Sequence, residues 1–340
     1  MDKENVLITG ANGEVGHVLL TELAKRKKYK IIAFYRSKLD ESLLPYINKT
    51  IQGDILDEGL LEKVFQENKI DIIFHLAAIL SSAGEDEPEL AHEINVEGTI
   101  HLLEIATKES LRRKKSIKFI FPSSIAVYGI TNPLTKRKAD RVSEEKFNNP
   151  ITMYGCNKLY CEKLGEYFSK YYKLVSDIKR NYLIDFRCVR FPGLISANTL
   201  PTGGTSDFAS EMVHAAAQKK EYKCFVKEDT RIPFLAMPDG VTALIKFCET
   251  PRSQLTRTVY NLTGFSPLAK EIEEEIKKTF PEAKIRYQCN QKRQKIVDSW
   301  PEDLDDGRAK KDWGWSPIYD FKKAFEDYLI PAVIKRYRVS

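Results

Sequence analysis

The stretch that most constrains the fold opens the chain, where "NVLITGANGEVG" (residues 5–16) leads from an apolar strand into a glycine-rich turn. Gly10, Gly13 and Gly16 fall between that strand and a predicted helix over 14–27. Glycine permits a tight turn and lets a phosphate approach the backbone, while the helix N-terminus offers free N–H groups to it. A glycine triplet alone also fits an ordinary turn, but its position in a βαβ pattern predicts a dinucleotide site.

Short apolar strands alternate with amphipathic helices through the first half of the chain. Further strands are predicted over 30–36, 50–55, 71–78, 116–124 and 184–193. Near-continuous apolar strands separated by helices indicate a parallel sheet covered on both faces. The sequence therefore predicts an α/β fold with a Rossmann-type, doubly wound parallel sheet.

The pattern of predicted elements changes from about residue 192. Loops become longer there, and short strands ("KCFV", "TVYNL", "KIRYQC") alternate with helices such as 268–280. This predicts a smaller C-terminal α+β substrate-binding region. We expect a dinucleotide-binding domain over 1–191 that carries the catalytic residues. A mainly substrate-binding region over 192–340 would follow, with some of its segments returning to the first domain.

Composition excludes several functional classes. The 340 residues are 42% apolar and 30% charged, an ordinary globular balance. No apolar run approaches the ~20 residues that span a bilayer, and the start lacks a signal-peptide pattern, so we expect a cytoplasmic protein with no membrane partner. The net charge of +6 comes from scattered basic runs that fit a solvated surface, and no nucleic-acid partner is predicted.

The six cysteines form no C-x-x-C pair and no cluster of zinc spacing. Dispersed cysteines are typical of reduced thiols in a cytosol. We predict no metal site.

Two strand ends in the first half suit a nucleotide. Asp54 and Ile55 in "GDILD" follow the third strand, where a carboxylate can accept from an adenine amino group or can cap the next helix. The small residues of "HLAA" (75–78) end the fourth strand and leave room for a ribose and pyrophosphate.

A candidate catalytic set follows. Ser123 and Ser124 lie at the end of the fifth strand, and "MYGCNK" places Tyr154 four residues before Lys158. On a helix that spacing puts both side chains on one face, about one turn apart. An ammonium there is expected to lower the pKa of a phenol that is normally near 10, so that Tyr154 moves a proton while a serine hydroxyl at the strand end holds the substrate oxygen.

The order of "GANGEVG", "HLAA", "SSIAVYG" and Y-x-x-x-K resembles the extended short-chain dehydrogenase/reductase superfamily across essentially the whole chain. In that family the serine separated by two residues from Val-Tyr-Gly in this pattern is catalytic, which corresponds to Ser124 and implies a structural role for Ser123. The strings "RFPGLIS", "PTGGTSDFASEMVHAA", "DTRIPFLAMPDG" and "DSWPEDLDD…DWGWSP" closely resemble the short-chain type of L-threonine 3-dehydrogenase.

That resemblance implies oxidation of the β-hydroxyl of L-threonine to 2-amino-3-oxobutyrate, with hydride transfer to a nicotinamide dinucleotide. It implies that Ser81, Thr205 and Ser206 contact the substrate, together with Ser124 and Tyr154, and that Lys158 fixes the ribose. Without the resemblance, the residues "GGTS" fit a turn that leads into a helix, with Thr205 or Ser206 as its N-cap. Alternatives are a nucleotide-sugar epimerase/dehydratase of the same superfamily and a non-catalytic dinucleotide-binding protein.

The motifs and the resemblance together assign a set of residues to the cofactor: Gly10, Asn12, Gly13, Glu14, Val15, Gly16, Arg36, Ser37, Asp54, Ile55, Leu76, Ala77, Ala78, Asn95, Tyr154, Lys158, Pro192 and Leu194.

The chain departs from the family's pattern at three places. Members that use NAD carry Asp at the end of the second strand, where this chain has Tyr35, followed by Arg36 and Ser37. An arginine fork suits the 2′-phosphate of NADP, so we expect NADP to be favoured over NAD, although NAD still binds if Arg36 faces solvent. Tyr128 stands where the family often has Phe, and the connection over 173–184 is long.

A homodimer is also predicted, because the superfamily commonly dimerises through the helix that carries the Tyr/Lys pair.

Overall fold

The computed structural model describes residues 3–197, 199–201 and 204–338, so Thr202 and Gly203 of the predicted "PTGGTS" loop lie outside the described residues. The chain divides into two compact units. The first unit comprises Met1–Ser123, Cys156–Val189 and Val241–Val259, and the second comprises Ser124–Gly155, Arg190–Gly240 and Tyr260–Ser340. The predicted boundary at 191/192 remains a prediction.

The strands in chain order are β1 (Glu4–Thr9), β2 (Tyr29–Tyr35), β3 (Lys49–Gln52), β4 (Ile70–His75), β5 (Lys118–Ser124), β6 (Arg141–Val142), β7 (Asp185–Phe191), β8 (Gly193–Ile195), β9 (Tyr222–Cys224), β10 (Phe234–Ala236), β11 (Val259–Asn261), β12 (Ile285–Tyr287) and β13 (Asp303–Leu304). The helices are α1 (Glu14–Lys25), α2 (Glu58–Glu67), α3 (Ser81–Asp86), α4 (Pro88–His92), α5 (Gly98–Arg113), α6 (Pro133–Ala139), α7 (Met153–Lys170), α8 (Phe208–Ala217), α9 (Met237–Glu249), α10 (Ala269–Thr279), α11 (Gln291–Asp298), α12 (Gly307–Trp313), α13 (Phe321–Lys323) and α14 (Ile330–Arg338). Shorter 3₁₀ and π turns connect several of them.

Within the described ranges, seven strands form one sheet in the order β11-β7-β5-β4-β1-β2-β3. β1 pairs in parallel with β2 and β4, and parallel pairs also join β2 to β3 and β4 to β5. The strand order reverses at β1, which is the arrangement of a doubly wound nucleotide-binding sheet. The predicted Rossmann-type α/β fold is confirmed.

The core of the first unit explains why its strands read as continuous apolar runs. Leu7, Ile32, Ile73 and Phe119 come from four neighbouring strands, and all are almost fully buried in one hydrophobic cluster. A sheet whose strands are covered on both faces has no solvated side, so polar alternation disappears from its sequence.

Two predicted strands differ from the structure. The segment over 71–78 ends as a strand at His75, because the chain leaves the sheet at "LAA" to line a pocket described below. The segment "TVYNL" was predicted in the smaller region, but β11 is an edge strand of the large sheet. A three-residue strand carries no pattern long enough to reveal its partner.

Among its described residues, the second unit contains three small parallel ladders, β8 with β10, β9 with β12, and β6 with β13. Its core includes an aromatic group in which the Phe208 ring lies 5.6 Å from the Phe234 ring and 6.0 Å from the Phe225 ring. In the described part of the chain, no helix is both long and apolar enough to cross a membrane.

Arg187 on β7 is a buried cation that ties the first unit together. Its guanidinium donates to the carboxylate of Asp185 at 2.6 Å and to the carbonyl oxygens of Phe247, Cys248 and Thr250. These carbonyls close the C-terminal end of α9, where main-chain acceptors have no partner within the helix. The arginine therefore fixes α9 to the sheet.

We expect Arg187→Met to lower the free energy of unfolding by about 3–5 kcal/mol, because it leaves a buried carboxylate and buried carbonyls without donors. Arg252→Met is the matched control, since Arg252 approaches the same Asp185 at 3.6 Å from a half-exposed position. Its loss should cost less than about 1 kcal/mol. Urea unfolding measures both, and equal effects would contradict the role of Arg187.

Candidate active site

A pocket in the first unit lies at the carboxyl ends of β1, β2 and β4. Its volume is about 310 Å³. Predicted cofactor residues make up most of its lining: Gly10, Asn12, Gly13, Arg36, Ser37, Asp54, Ile55, Leu76, Ala77 and Ala78. The structure thus gathers predicted residues from four separate segments around one cavity.

The glycine loop closes this pocket through a backbone contact that no side chain could accept. Gly10 has a φ of +66°, and a Cβ added there would lie 2.6 Å from the Ala77 nitrogen. Asn12 braces the loop, because its side chain donates to the Lys38 carbonyl and accepts from the Asp40 N–H. The loop leaves open backbone beside the start of α1, which fits a pyrophosphate. Glu14, Val15 and Gly16 form the first turn of α1.

A buried hydrogen-bond network supports the opposite wall. Thr9 Oγ1 lies 2.7 Å from His75 Nδ1, and His75 Nε2 lies 3.0 Å from Thr99 Oγ1. Burial lowers the pKa of His75 to about 3, so the imidazole is neutral and serves both hydroxyls. Thr9 Oγ1 also accepts from the Ala77 N–H at 3.3 Å, which fixes the backbone that lines the pocket. Sequence reasoning missed His75, although the "HLAA" motif contains it.

Asn95 and Asp54 use their side chains locally. The Asn95 amide accepts from the Ile79 N–H and donates to the Ile79 carbonyl, so it clamps the loop after β4. Asp54 lies in the pocket wall and accepts from the Leu56 N–H at 3.0 Å. Asp57 is the residue that caps α2, so the capping alternative for Asp54 is wrong.

The predicted phosphate-recognition residues Arg36 and Ser37 directly follow β2 and are exposed at the pocket. The Arg36 carbonyl accepts from the Gln52 side chain at 3.2 Å, which anchors the backbone at that point. Tyr35 also lines the cavity. The guanidinium of Arg36 and the hydroxyl of Ser37 thus lie directly after β2, and no carboxylate occupies the end of that strand.

Ser124 and Tyr154 meet in the second unit. A side-chain hydrogen bond joins them, and Ser124 Oγ also accepts from the Ala126 N–H at 3.1 Å. Gly155 permits this approach, because a Cβ there would lie 2.1 Å from the Ala126 carbonyl oxygen. Burial raises the pKa of Tyr154 well above its usual range, and the bond to Ser124 only partly opposes this. The expectation of a lowered pKa for Tyr154 is wrong, since desolvation dominates.

Lys158 follows Tyr154 by four residues on α7 and lies in the first unit. Its ammonium donates to the Pro122 carbonyl at 2.8 Å and lies 4.4 Å from the centre of the Phe121 ring. Burial lowers the pKa of Lys158 to about 8. The lysine is therefore held in place by the strand that ends at Ser124. The Ser123 hydroxyl is buried and has no partner within the described residues.

Tyr128 belongs to a buried network in the second unit that the sequence did not reveal. Its hydroxyl donates to Asn261 Oδ1 at 2.7 Å and accepts from Arg190 Nη1 at 3.0 Å. Arg190 also donates to the Glu144 carbonyl. A phenylalanine, which the family often has here, could make neither bond. The tyrosine at this position therefore has polar partners on other segments, in Asn261 and Arg190. Pro192 and Leu194 follow Arg190, and Leu194 pairs with β10.

The predicted substrate residues lie on two separate segments. Ser81 begins α3 in the first unit and is nearly buried. Thr205 is buried and Ser206 half-buried in the turn before α8 in the second unit. α8 has no side-chain cap, so Thr205 and Ser206 do not serve as its N-cap. Arg293, which sequence reasoning missed, donates to the Gly204 carbonyl at 2.8 Å and lies 3.2 Å from the centre of the Phe225 ring.

Comparisons with known proteins agree with this architecture. Residues 6–263 match the model of the "NAD dependent epimerase/dehydratase family". The chain is 35% identical to the mitochondrial L-threonine 3-dehydrogenase of Bos taurus, over 94% of this chain and 80% of that protein. The solved L-threonine 3-dehydrogenase of Trypanosoma brucei is 36% identical with a TM-score of 0.84, covering 96% and 97% of the two chains. A monomeric L-threonine 3-dehydrogenase from a metagenome is 35% identical with a TM-score of 0.84, covering 97% and 99%.

The parallel sheet and its glycine-loop pocket are those of the Rossmann-type nucleotide-binding class. Within that class, the chain belongs to the NAD-dependent epimerase/dehydratase family, the extended short-chain dehydrogenases/reductases. An NAD(P) dinucleotide is the cofactor typical of this family. In the described part of the chain, no group of three or more His, Cys, Asp or Glu side chains could hold a metal ion.

Proposed function

We propose that this protein is an NAD(P)-dependent dehydrogenase that oxidises the β-hydroxyl of L-threonine to 2-amino-3-oxobutyrate. The observation that carries the proposal is the hydrogen-bonded pair of Ser124 and Tyr154 at the start of the helix that also bears Lys158. The similarity to L-threonine 3-dehydrogenases across nearly the whole chain supports this substrate over a nucleotide sugar.

In this proposal each side chain has one task. Ser124 donates to the substrate oxygen, Tyr154 exchanges its proton, and Lys158 holds the nicotinamide ribose. The nicotinamide, when bound, supplies the hydride acceptor. A neutral Tyr154 is the proton donor that ketone reduction needs, whereas alcohol oxidation needs it to lose its proton first. Ser81, Thr205 and Ser206 seat the polar ends of the amino acid through hydroxyl groups.

The residues that would hold the cofactor are those of the pocket in the first unit, with Lys158, Pro192 and Leu194. The side-chain-free backbone of the glycine loop beside the start of α1 supports a pyrophosphate there, because the N–H groups at the helix N-terminus can bind its oxygens. We further propose that NADP is preferred, since Arg36 and Ser37 offer a charged fork and a hydroxyl donor at the pocket.

A matrix of substrates and cofactors on the purified chain, followed by absorbance at 340 nm, tests the proposed activity. Reduction of the cofactor with L-threonine but not with nucleotide sugars is the expected outcome. Cofactor binding without turnover of any alcohol would instead support a non-catalytic role.

We expect Tyr154→Phe to keep the fold and the cofactor affinity but to lower kcat about 10²- to 10⁴-fold, because only the ionisable hydroxyl is removed. In the parent enzyme, log kcat/KM for threonine should rise with pH by about one unit per pH unit between about pH 6 and pH 9, since the raised pKa keeps Tyr154 protonated. The rate of the reverse reaction, reduction of the ketone, should not increase with pH. A flat profile for oxidation, or near-normal turnover in the variant, would remove Tyr154 from the proton transfer.

Thr205→Val and Ser81→Ala should each raise KM for threonine about fivefold or more, since each deletes a polar contact of about 1 kcal/mol. KM for the cofactor is the internal control and should stay constant. If both variants keep the parent value for threonine, the assigned pocket is wrong.

Arg36→Ala should shift the ratio of kcat/KM for NADP over NAD by about ten- to a hundredfold toward NAD, because a charge-assisted contact to the phosphate is lost. Lys38→Ala is the matched control, since Lys38 is a neighbouring exposed cation paired with Glu41 and does not line the pocket. A parent preference for NAD that Arg36→Ala leaves untouched would refute the assignment.

We also propose a homodimer that uses α7. Tyr160 and Tyr167 are exposed on this helix, seven residues apart and therefore on one helical face, and Tyr171 is exposed directly after the helix ends. The double variant Tyr160→Glu/Tyr167→Glu should then be monomeric by sedimentation equilibrium, while Val175→Glu, at a fully exposed site in the connection after α7, should not change the mass. A monomeric parent, as in the metagenomic relative, would refute the proposal.

A further inference from the structure

A second cavity, of about 300 Å³, lies within the second unit and contains none of the predicted site residues. Ile130, Pro133 at the start of α6, and Ile151 provide an apolar wall. Gln291, Lys295 and Asp298, all on α11, provide a polar wall. The volume is at the lower end of the range for small-molecule sites, about 300–1,000 Å³.

The walls of this cavity are held by buried hydrogen bonds. The Ile130 N–H donates to the Ser299 carbonyl at 2.8 Å, and the buried ammonium of Lys136 donates to the Val297 carbonyl at 3.1 Å. Gln294 is 3% exposed, and its amide donates to Asp298 Oδ1 at 2.7 Å. The cavity is therefore built into the fold.

Lys295 and Asp298 give the polar wall an ammonium and a carboxylate that form no ion pair with each other within the described ranges. They are three residues apart on α11, which places their Cβ atoms about 5–6 Å apart on one face. Asp298 accepts a hydrogen bond from Gln294 through Oδ1 and interacts electrostatically with the buried ammonium of Lys136, whereas the exposed Lys295 makes no ion pair in the described part of the chain. One ammonium and one carboxylate oxygen thus face the cavity.

The ammonium of Lys295 and the carboxylate of Asp298 together determine which charges a ligand of this cavity should carry. A simple anion would meet the carboxylate of Asp298, and a simple cation would meet the ammonium of Lys295. A molecule that carries an ammonium and a carboxylate on the same carbon satisfies both groups through charge-assisted hydrogen bonds. The isoleucine and proline side chains opposite suit a short branched hydrocarbon. We propose that this cavity binds a free α-amino acid with a short branched aliphatic side chain.

The same helix reaches the segment proposed to contact substrate. Arg293 lies between Gln291 and Lys295 on α11 and donates to the carbonyl of Gly204, the residue before Thr205. An amino acid bound against α11 should therefore shift the turn that contains Thr205, and this shift should change KM for threonine. This consequence rests on the proposed function, whereas the binding itself does not.

Isothermal titration calorimetry of the full chain with L-valine, in the absence of cofactor and threonine, tests the site. Isobutylamine, which lacks the carboxylate, and isovalerate, which lacks the ammonium, should bind at least about tenfold more weakly. Lys295→Gln and Asp298→Asn should each weaken L-valine by a similar factor, while Lys292→Gln, a matched change on α11 outside the cavity, should not.

Absence of binding by the parent would overturn the proposal. So would binding that Lys295→Gln and Asp298→Asn leave unchanged, because L-valine would then occupy another site, such as the one proposed for threonine. Equal affinity for isovalerate would point to a plain anion site and overturn the zwitterion assignment. A KM for threonine that L-valine changes in the parent and in Lys292→Gln but not in Lys295→Gln would support the link through Arg293.

Discussion

The close backbone approach between Gly10 and Ala77 is the constraint on which the rest of the first unit depends. The two segments come from neighbouring strands of the sheet, and a single added carbon on Gly10 would collide with the main chain of Ala77. The approach can persist only because Thr9 and His75 hold the Ala77 segment from behind with buried hydrogen bonds. The backbone that lines the pocket is thus fixed by this contact together with the buried hydrogen bonds beside it.

Burial sets the chemistry of the candidate site more strongly than pairwise charge does. Desolvation keeps Tyr154 a neutral phenol, lowers the pKa of Lys158 to about 8 and keeps His75 uncharged. Each of these groups is fixed by hydrogen bonds to backbone or hydroxyl partners, so orientation is set before any ligand arrives. An apolar environment of this kind makes protonation state sensitive to what later enters the site.

The second unit uses buried polar groups to fix segments that have little regular structure. Tyr128, Arg190 and Asn261 connect three distant parts of the sequence, and Arg293 connects α11 with the turn before α8. Short two- and three-residue strands could not supply this order alone. α11 combines two roles, because its Arg293 side chain reaches Gly204 while other side chains of the helix line a separate cavity.

The sequence by itself determined the class of fold, because uninterrupted apolar strands, a helical period between them and a glycine turn after the first strand admit few other arrangements. It also singled out Tyr154 and Lys158 through helical spacing, and Ser123 and Ser124 through strand-end position, both of which are local properties, while the family resemblance chose Ser124. Only the tertiary structure decided that "TVYNL" joins the large sheet, that Asn95 clamps Ile79, and that Tyr154 is a neutral phenol. It alone revealed the roles of His75, Tyr128, Arg190 and Arg293. These outcomes depend on desolvation and on partners far away in the chain, and neither leaves a periodic signal in the sequence.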